Sequence, residues 1–227
     1  MANAAPTLRL GSIAPDFEAQ TTHGPIKFHE WLGSSWGILF SHPDDFTPVC
    51  TTELGEVARK APEFEKRGVK VIGLSANDLT AHEAWIKDIE EVGASIGPTK
   101  VGFPIIADKD RKISTLYDML DYQDATNVDA KGIPFTVRTV FVIDPKKVIR
   151  LTISYPAQTG RNFDEILRVV DSLQLGDKNR ITTPVNWQKN DPVIIHPGVS
   201  NNEAAKLFPG YKTIKPYLRT TEFKVDA

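Results

Sequence analysis

Short apolar runs alternate along this chain with segments whose apolar residues recur at helical spacing, and that alternation constrains the fold most. "WGILFSH" (36–42), bounded by Gly37 and Pro43, predicts a buried strand. Leu54, Val57, Ala58, Ala61 and Phe64 then recur on one helical face until Gly68. "VKVIGLSA" (69–76) predicts a second strand and "LTAHEAWIKDIEEVG" (79–93) a helix, followed by strand "FPIIAD" (103–108) and helix "KISTLYDML" (112–120). "TVRTVFVID" (136–144) and "VIRLTISYP" (148–156) predict neighbouring strands joined by the "DPKK" turn, and "NFDEILRVVDSLQ" (162–174) a closing helix. Such an order implies an α/β sheet covered on both faces. After Gly176 the chain turns rich in proline and asparagine with only short apolar pieces. Two parts are therefore expected: a domain over 1–175, and an extension over 176–227 that wraps around something rather than building a core of its own.

Charge and cysteine content remove several function classes. The formal net charge of −2 gives no electrostatic footprint for nucleic acid or an acidic membrane. No stretch approaches the ~18 consecutive apolar residues of a membrane span, and the start lacks the apolar run of a secretory signal. Cys50 is the single cysteine, so no intrachain disulfide can form and a reducing compartment, cytoplasmic or mitochondrial, is expected.

That cysteine sits in "SHPDDFTPVCTTE" (41–53). Thr47 suits a helix N-cap and Pro48 the first helical position, which places Cys50 at the third. Negative charge is favoured in a first helical turn, so the same field favours a thiolate there. The Thr47 hydroxyl is expected to accept from the amide of Cys50. A small buried hydrophobe is the competing reading, but polar His42, Asp44 and Asp45 crowd a loop shaped by Pro43, which an inert core site does not need. Ionisation alone gains little. Shifting a thiol pKa from ~8.5 to ~6 raises the thiolate fraction at pH 7 about thirtyfold, and the loss of intrinsic nucleophilicity leaves roughly two- or threefold. Large rates need donors that meet the charge of the transition state. Arg138, a charge within an apolar strand, and Arg161, a cation just before a helix start, each break a local rule and are the candidates.

With these residues assembled, the chain resembles the peroxiredoxins. "HPDDFTPVCTTE" carries their Pro-x-x-x-Thr-x-x-Cys motif with Pro43, Thr47 and Cys50 in place. Similarity continues through "APEFEKRGVKVIGLS", "VRTVFVID" and "YPAQTGRNFDEILRVVDSLQL" into "TPVNW" and "KLFPGYKTIKPYLR", as in the one-cysteine class with a long C-terminal extension. The resemblance implies a thioredoxin-like fold with the extension as a small subdomain, and reduction of hydrogen peroxide or organic hydroperoxides without a cofactor. Cys50 would be the peroxidatic nucleophile, Thr47 and Arg138 would hold the peroxide, and Pro43 would shield the site. Arg161, Glu53 and His42 match supporting positions. It also implies a homodimer. With no second cysteine, the sulfenic acid needs an external thiol, from glutathione or a thioredoxin system, and excess peroxide drives Cys50 toward sulfinic acid. A peroxide sensor or chaperone-like redox protein would use the same thiol chemistry.

"GSSWG" (33–37) fits the Gly-x-Ser-x-Gly of a serine hydrolase elbow, with His29 nearby, and related one-cysteine members are described with phospholipase activity at such a motif. An elbow needs a strand before its serine and a helix after it, whereas here the strand follows. Lys146 falls where the third member's aspartate would stand, with Asp144 shifted from it. At most, Ser35 with His29 gives weak ester hydrolysis. The histidines at 23, 29, 42, 82 and 196 show no metal-ligand spacing, and His82 reads as a packed or solvated helix residue.

Overall fold

A computed structural model describes residues 8–223. The chain divides into two compact units, 1–163 and 164–227. In chain order the first contains β1 (Glu18–Thr21), β2 (Gly24–Lys27), α1 (Phe28–Leu32), β3 (Trp36–Ser41), α2 (Pro48–Arg59), α3 (Ala61–Lys66) and β4 (Val69–Ser75). It continues with α4 (Leu79–Ala94), β5 (Ile105–Ala107), α5 (Lys112–Leu116), β6 (Arg138–Ile143) and β7 (Ile149–Tyr155). One seven-stranded mixed sheet runs β2-β1-β5-β4-β3-β6-β7. β3 pairs parallel with β4 and antiparallel with β6. The central strands are buried almost throughout, as their unbroken apolar runs require when both faces are covered.

Strand alternation sorts the core. Leu39, Ile72, Leu74, Phe141 and Ile143 join Phe28, Leu32 and Tyr117 in one cluster, with Tyr117 edge-on to Phe141 at 5.3 Å. Phe40, one residue on, packs instead against Phe103 and Phe163. The register of β3 on β6 runs from Gly37↔Ile143 to Phe40↔Val140. Side chains tie that end of the sheet: Ser41 Oγ donates to the carbonyl of Val137 at 2.6 Å, and Thr136 Oγ1 to the carbonyl of His42 at 2.7 Å. The carboxyl end of β3 and the amino end of β6 thus form one rigid ledge, where α/β sheets commonly place their chemistry.

Several expectations change. The helical run before Gly68 is two helices, because Pro62 lacks the N–H that α2 would need to continue and its ring crowds the preceding turn. The β1–β2 hairpin was not read: its strands are short and half exposed, and the turn between them rests on Gly24, at φ 93°, followed by Pro25. The helix expected at 112–120 ends at Leu116. The helix expected at 162–174 is α6 (Phe163–Asn179), so the anticipated division at 175/176 falls inside a helix.

The extension does carry its own core, against expectation. β8 (Ile181–Thr182), β9 (Val193–Ile195), α7 (Asn201–Leu207), β10 (Lys212–Lys215) and β11 (Leu218–Thr221) complete the chain, with the strands ordered β10-β11-β9-β8. Leu175, Ile181, Trp187, Val193, Ile195, Val199, Ala204 and Phe208 bury one another. Asn186 and Asn190 take left-handed conformations on either side of Trp187, turning short apolar pieces back onto its ring.

Candidate active site

α2 starts as its sequence demands: Thr47 is the extended N-cap residue and Pro48 the first helical one, so Cys50 lies at the third position. The expected cap bond is absent. Thr47 Oγ1 donates instead to the carbonyl of Asp44 at 2.8 Å, and the Thr47 carbonyl accepts from the amide and hydroxyl of Thr51. Phe46, at φ 55°, folds the loop back and brings the Asp44 carbonyl within reach of that hydroxyl. Cys50 has no exposed surface. Burial does not isolate it, because Arg138 Nη1 lies 3.3 Å from its sulfur.

The two rule-breaking arginines meet on one carboxylate. Glu53, three residues after Cys50, accepts from Arg138 Nη1 at 2.7 Å. It also accepts from Arg161 through its backbone N–H, Nε and Nη2 at 2.7, 3.0 and 2.8 Å. Arg138 is further held by the carbonyl of Ala157, and Arg161 by those of Ser41 and Thr139, its guanidinium lying over Phe40 and Phe163. Burial alone would raise the Glu53 carboxyl, but the charges of Arg161 and Arg138 and the bonds from Arg161 outweigh it and hold the group below its usual range. Two buried guanidiniums against one carboxylate leave one positive charge in excess, and Cys50 Sγ is the neighbour that can balance it.

Comparison with known proteins agrees with this geometry. Residues 10–152 match the AhpC/TSA family and residues 172–210 the C-terminal domain of 1-Cys peroxiredoxin. Human peroxiredoxin-6 is 55% identical over 202 residues, 89% of each chain. The chain belongs to the one-cysteine peroxiredoxins. A cysteine-mutant peroxiredoxin 6 from Arenicola marina superimposes with a TM-score of 0.89 at 46% identity, covering 95% of this chain and 98% of that one. A yeast mitochondrial 1-Cys peroxiredoxin, described as resolved through glutathione/thioredoxin systems, matches with a TM-score of 0.85 at 52% identity, covering 96% and 100%. The fold of this peroxiredoxin is therefore thioredoxin-like, and its activity is that of a thiol-dependent peroxidase.

The remaining candidates separate cleanly. Pro43 is buried directly after β3, at the ledge. His42 is fully buried beside it, its ring centroid 5.1 Å from that of Trp85, whose indole N–H donates to Thr51 one residue beyond Cys50. Phe46, 54% exposed, lies 6.4 Å from the same indole. Sequence reading missed two residues here. Asp45 and His82 are buried with His42 in one hydrogen-bonded cluster, so His82 is a bonded partner rather than a merely packed or solvated residue.

Ser35 is not drawn into comparable chemistry. It follows α1 and precedes β3, the reverse of an elbow, and among the described residues no hydrogen bond joins it to His29. His29 Nε2 is bonded to the carbonyl of Ala14 at 2.7 Å. Asp144 closes the β6–β7 turn, accepting from the amides of Lys146 and Val148 and from Arg150.

Proposed function

We propose that Cys50 attacks the terminal oxygen of hydrogen peroxide or an alkyl hydroperoxide, breaking the O–O bond to give a sulfenic acid and water or an alcohol. The observation that carries this reading is the 3.3 Å approach of Arg138 Nη1 to Sγ, with Glu53 and Arg161 fixing that guanidinium. Arg138 faces the anion in the ground state and the oxygen that gains charge as the bond breaks. The Thr47 hydroxyl has committed its hydrogen to Asp44, so its oxygen is left to accept from the peroxide O–H. Pro43 keeps water from the ledge.

An external thiol reduces the sulfenic acid, since the chain has no second cysteine. Glutathione and a thioredoxin system are the two donor classes, and a reducing cytoplasmic or mitochondrial interior supplies both. Because Cys50 is sealed, either donor reaches it only after the start of α2 or the loop before it moves. A second copy of the chain completes the assembly as a homodimer. Steady-state peroxide removal with the two donor systems side by side tests the scheme. Many turnovers with at least one donor, one added oxygen by intact mass after an equimolar pulse, and loss of both in Cys50→Ser are expected. Arrest after one equivalent with every donor would make the protein a sensor instead.

A further inference from the structure

The side chain of Asn77, between β4 and α4, spends both ends of its amide on the loop that leads to Cys50. Nδ2 donates to Asp44 Oδ1 at 2.7 Å, and Oδ1 accepts from the amide of Asp45 at 3.2 Å and the Ser75 hydroxyl at 2.7 Å. A carboxylate only accepts and a backbone N–H only donates, so these partners fix which end of the amide is which. Among the described residues Asn77 is the only donor to the Asp44 carboxylate, and no cation pairs with it. The Asp45 N–H and the Asp44 carbonyl belong to one planar trans peptide and point in opposite directions. Holding the N–H therefore aims the carbonyl, which meets the Thr47 hydroxyl at 2.8 Å. Phe46, next in the loop, keeps its left-handed φ of 55° only because the surroundings hold it. An N-cap threonine ordinarily turns its oxygen to an amide of the first helical turn. Here the loop overrides that choice.

We propose that Asn77 is a positioning residue of the peroxidase site: by fixing the Asp44–Asp45 peptide it keeps the Thr47 hydroxyl donating to the Asp44 carbonyl and its oxygen free for the peroxide O–H. The inference rests on the reading of Cys50 as the reacting thiol and Thr47 as a peroxide contact. Without the Asn77 amide, Asp45 stays anchored through its carboxylate to His42 and His82, so the loop keeps its place. What is freed is the peptide before it. Phe46 then relaxes to a negative φ and the Asp44 carbonyl turns away. Thr47 returns to the ordinary cap, its oxygen taken up by the amide of Cys50. The bonds of Arg138 to Glu53, Ala157 and Cys50 involve neither Asn77 nor Asp44. The peroxide keeps its cation and loses its acceptor.

A double-mutant cycle separates positioning from general support of the fold. Single-turnover rates of Cys50 oxidation by hydrogen peroxide are compared for the unaltered protein, Asn77→Ala, Thr47→Val and the double variant. Asn77→Ala should slow oxidation about 10- to 100-fold, as a misplaced contact does. Alkylation of Cys50 by iodoacetamide, which needs no acceptor at Thr47, should not slow. Because Asn77 acts through the Thr47 hydroxyl, adding Asn77→Ala to Thr47→Val should cost less than about twofold more. A crystal structure of Asn77→Ala should show Thr47 Oγ1 moved from the Asp44 carbonyl to the amide of Cys50. Equal slowing in both backgrounds, equal slowing of alkylation, or a Thr47 hydroxyl still bonded to Asp44 would overturn the proposal. So would Thr47→Val oxidising as fast as the unaltered protein. If the unaltered protein consumed no peroxide, the peroxidase reading would fail instead, and the crystal structure would still decide whether Asn77 places that hydroxyl.

Discussion

Arg138 enters the sheet as the first residue of β6, and its planar fork serves Glu53, the Ala157 carbonyl and the Cys50 sulfur at once. An ammonium could keep the charge but not these three directions. Arg138→Lys is therefore expected to lower the rate of Cys50 oxidation by about 10²- to 10³-fold, the usual loss when one transition-state donor is removed. Stopped-flow fluorescence after a peroxide pulse measures it, and a rate within threefold of the original would remove Arg138 from the chemistry. The residues of this site differ in how openly the sequence displays them. Pro43, Thr47 and Cys50 lie in one short stretch with the grammar of a helix start, and Arg138 is conspicuous as a charge in an apolar strand. The bridge from Glu53 to Arg161 spans 108 positions and the Asp45–His82 bond 37, and no local pattern announces either. Even the hydroxyl of Thr47, well placed by its spacing, turned to Asp44 for a reason that only the loop conformation supplies.

At the scale of elements, legibility followed burial. β3, β4, β6 and α4 were readable to within about two residues because each is long and its apolar residues keep one period. β1 and β2 are short and half exposed, and the core of the extension is assembled from pieces between Leu175 and Phe208 that are too brief to show a period. β7 raises a different question, because it is seven residues long, ends the sheet, and pairs with β6, while Gly11 and Ser12 bond to the backbone of its first residue, Ile149. An edge of that length invites a second strand, and a two-fold axis lets β7 of another copy supply it. Light scattering is expected to give twice the chain mass, and amide exchange to show protection at successive residues across 150–155, beyond Ile149, whose amide already bonds to the Ser12 carbonyl. Alternating protection, with every second amide exchanging freely, would describe an open edge and place any dimer contact elsewhere.

For the whole molecule, the buried charges of the first unit fix how stability depends on pH. Burial alone would raise the Asp45 carboxyl, but its bonds to His42 and His82 and their charges hold it at about 2, below its ordinary 3.8. Glu53 is depressed from 4.5 in the same sense. A carboxyl depressed on folding contributes stability above its unfolded value and loses it as pH falls toward the folded one. For Asp45 that amounts to about 2 kcal/mol, lost between roughly pH 4 and 2. His42 acts earlier. Burial lowers it below 6.5, so the unfolded chain takes up a proton first and folding is disfavoured as pH drops below that value. Unfolding free energies from denaturant titrations at intervals from pH 8 to 3 should therefore hold a plateau above about pH 7, decline from about 6.5, and steepen below about 4.5. His42→Gln should remove the upper decline and keep the lower one. Stability that stays level from pH 7 to 5 in the unaltered protein, matching His42→Gln throughout, would mean that folding leaves the basicity of His42 unchanged.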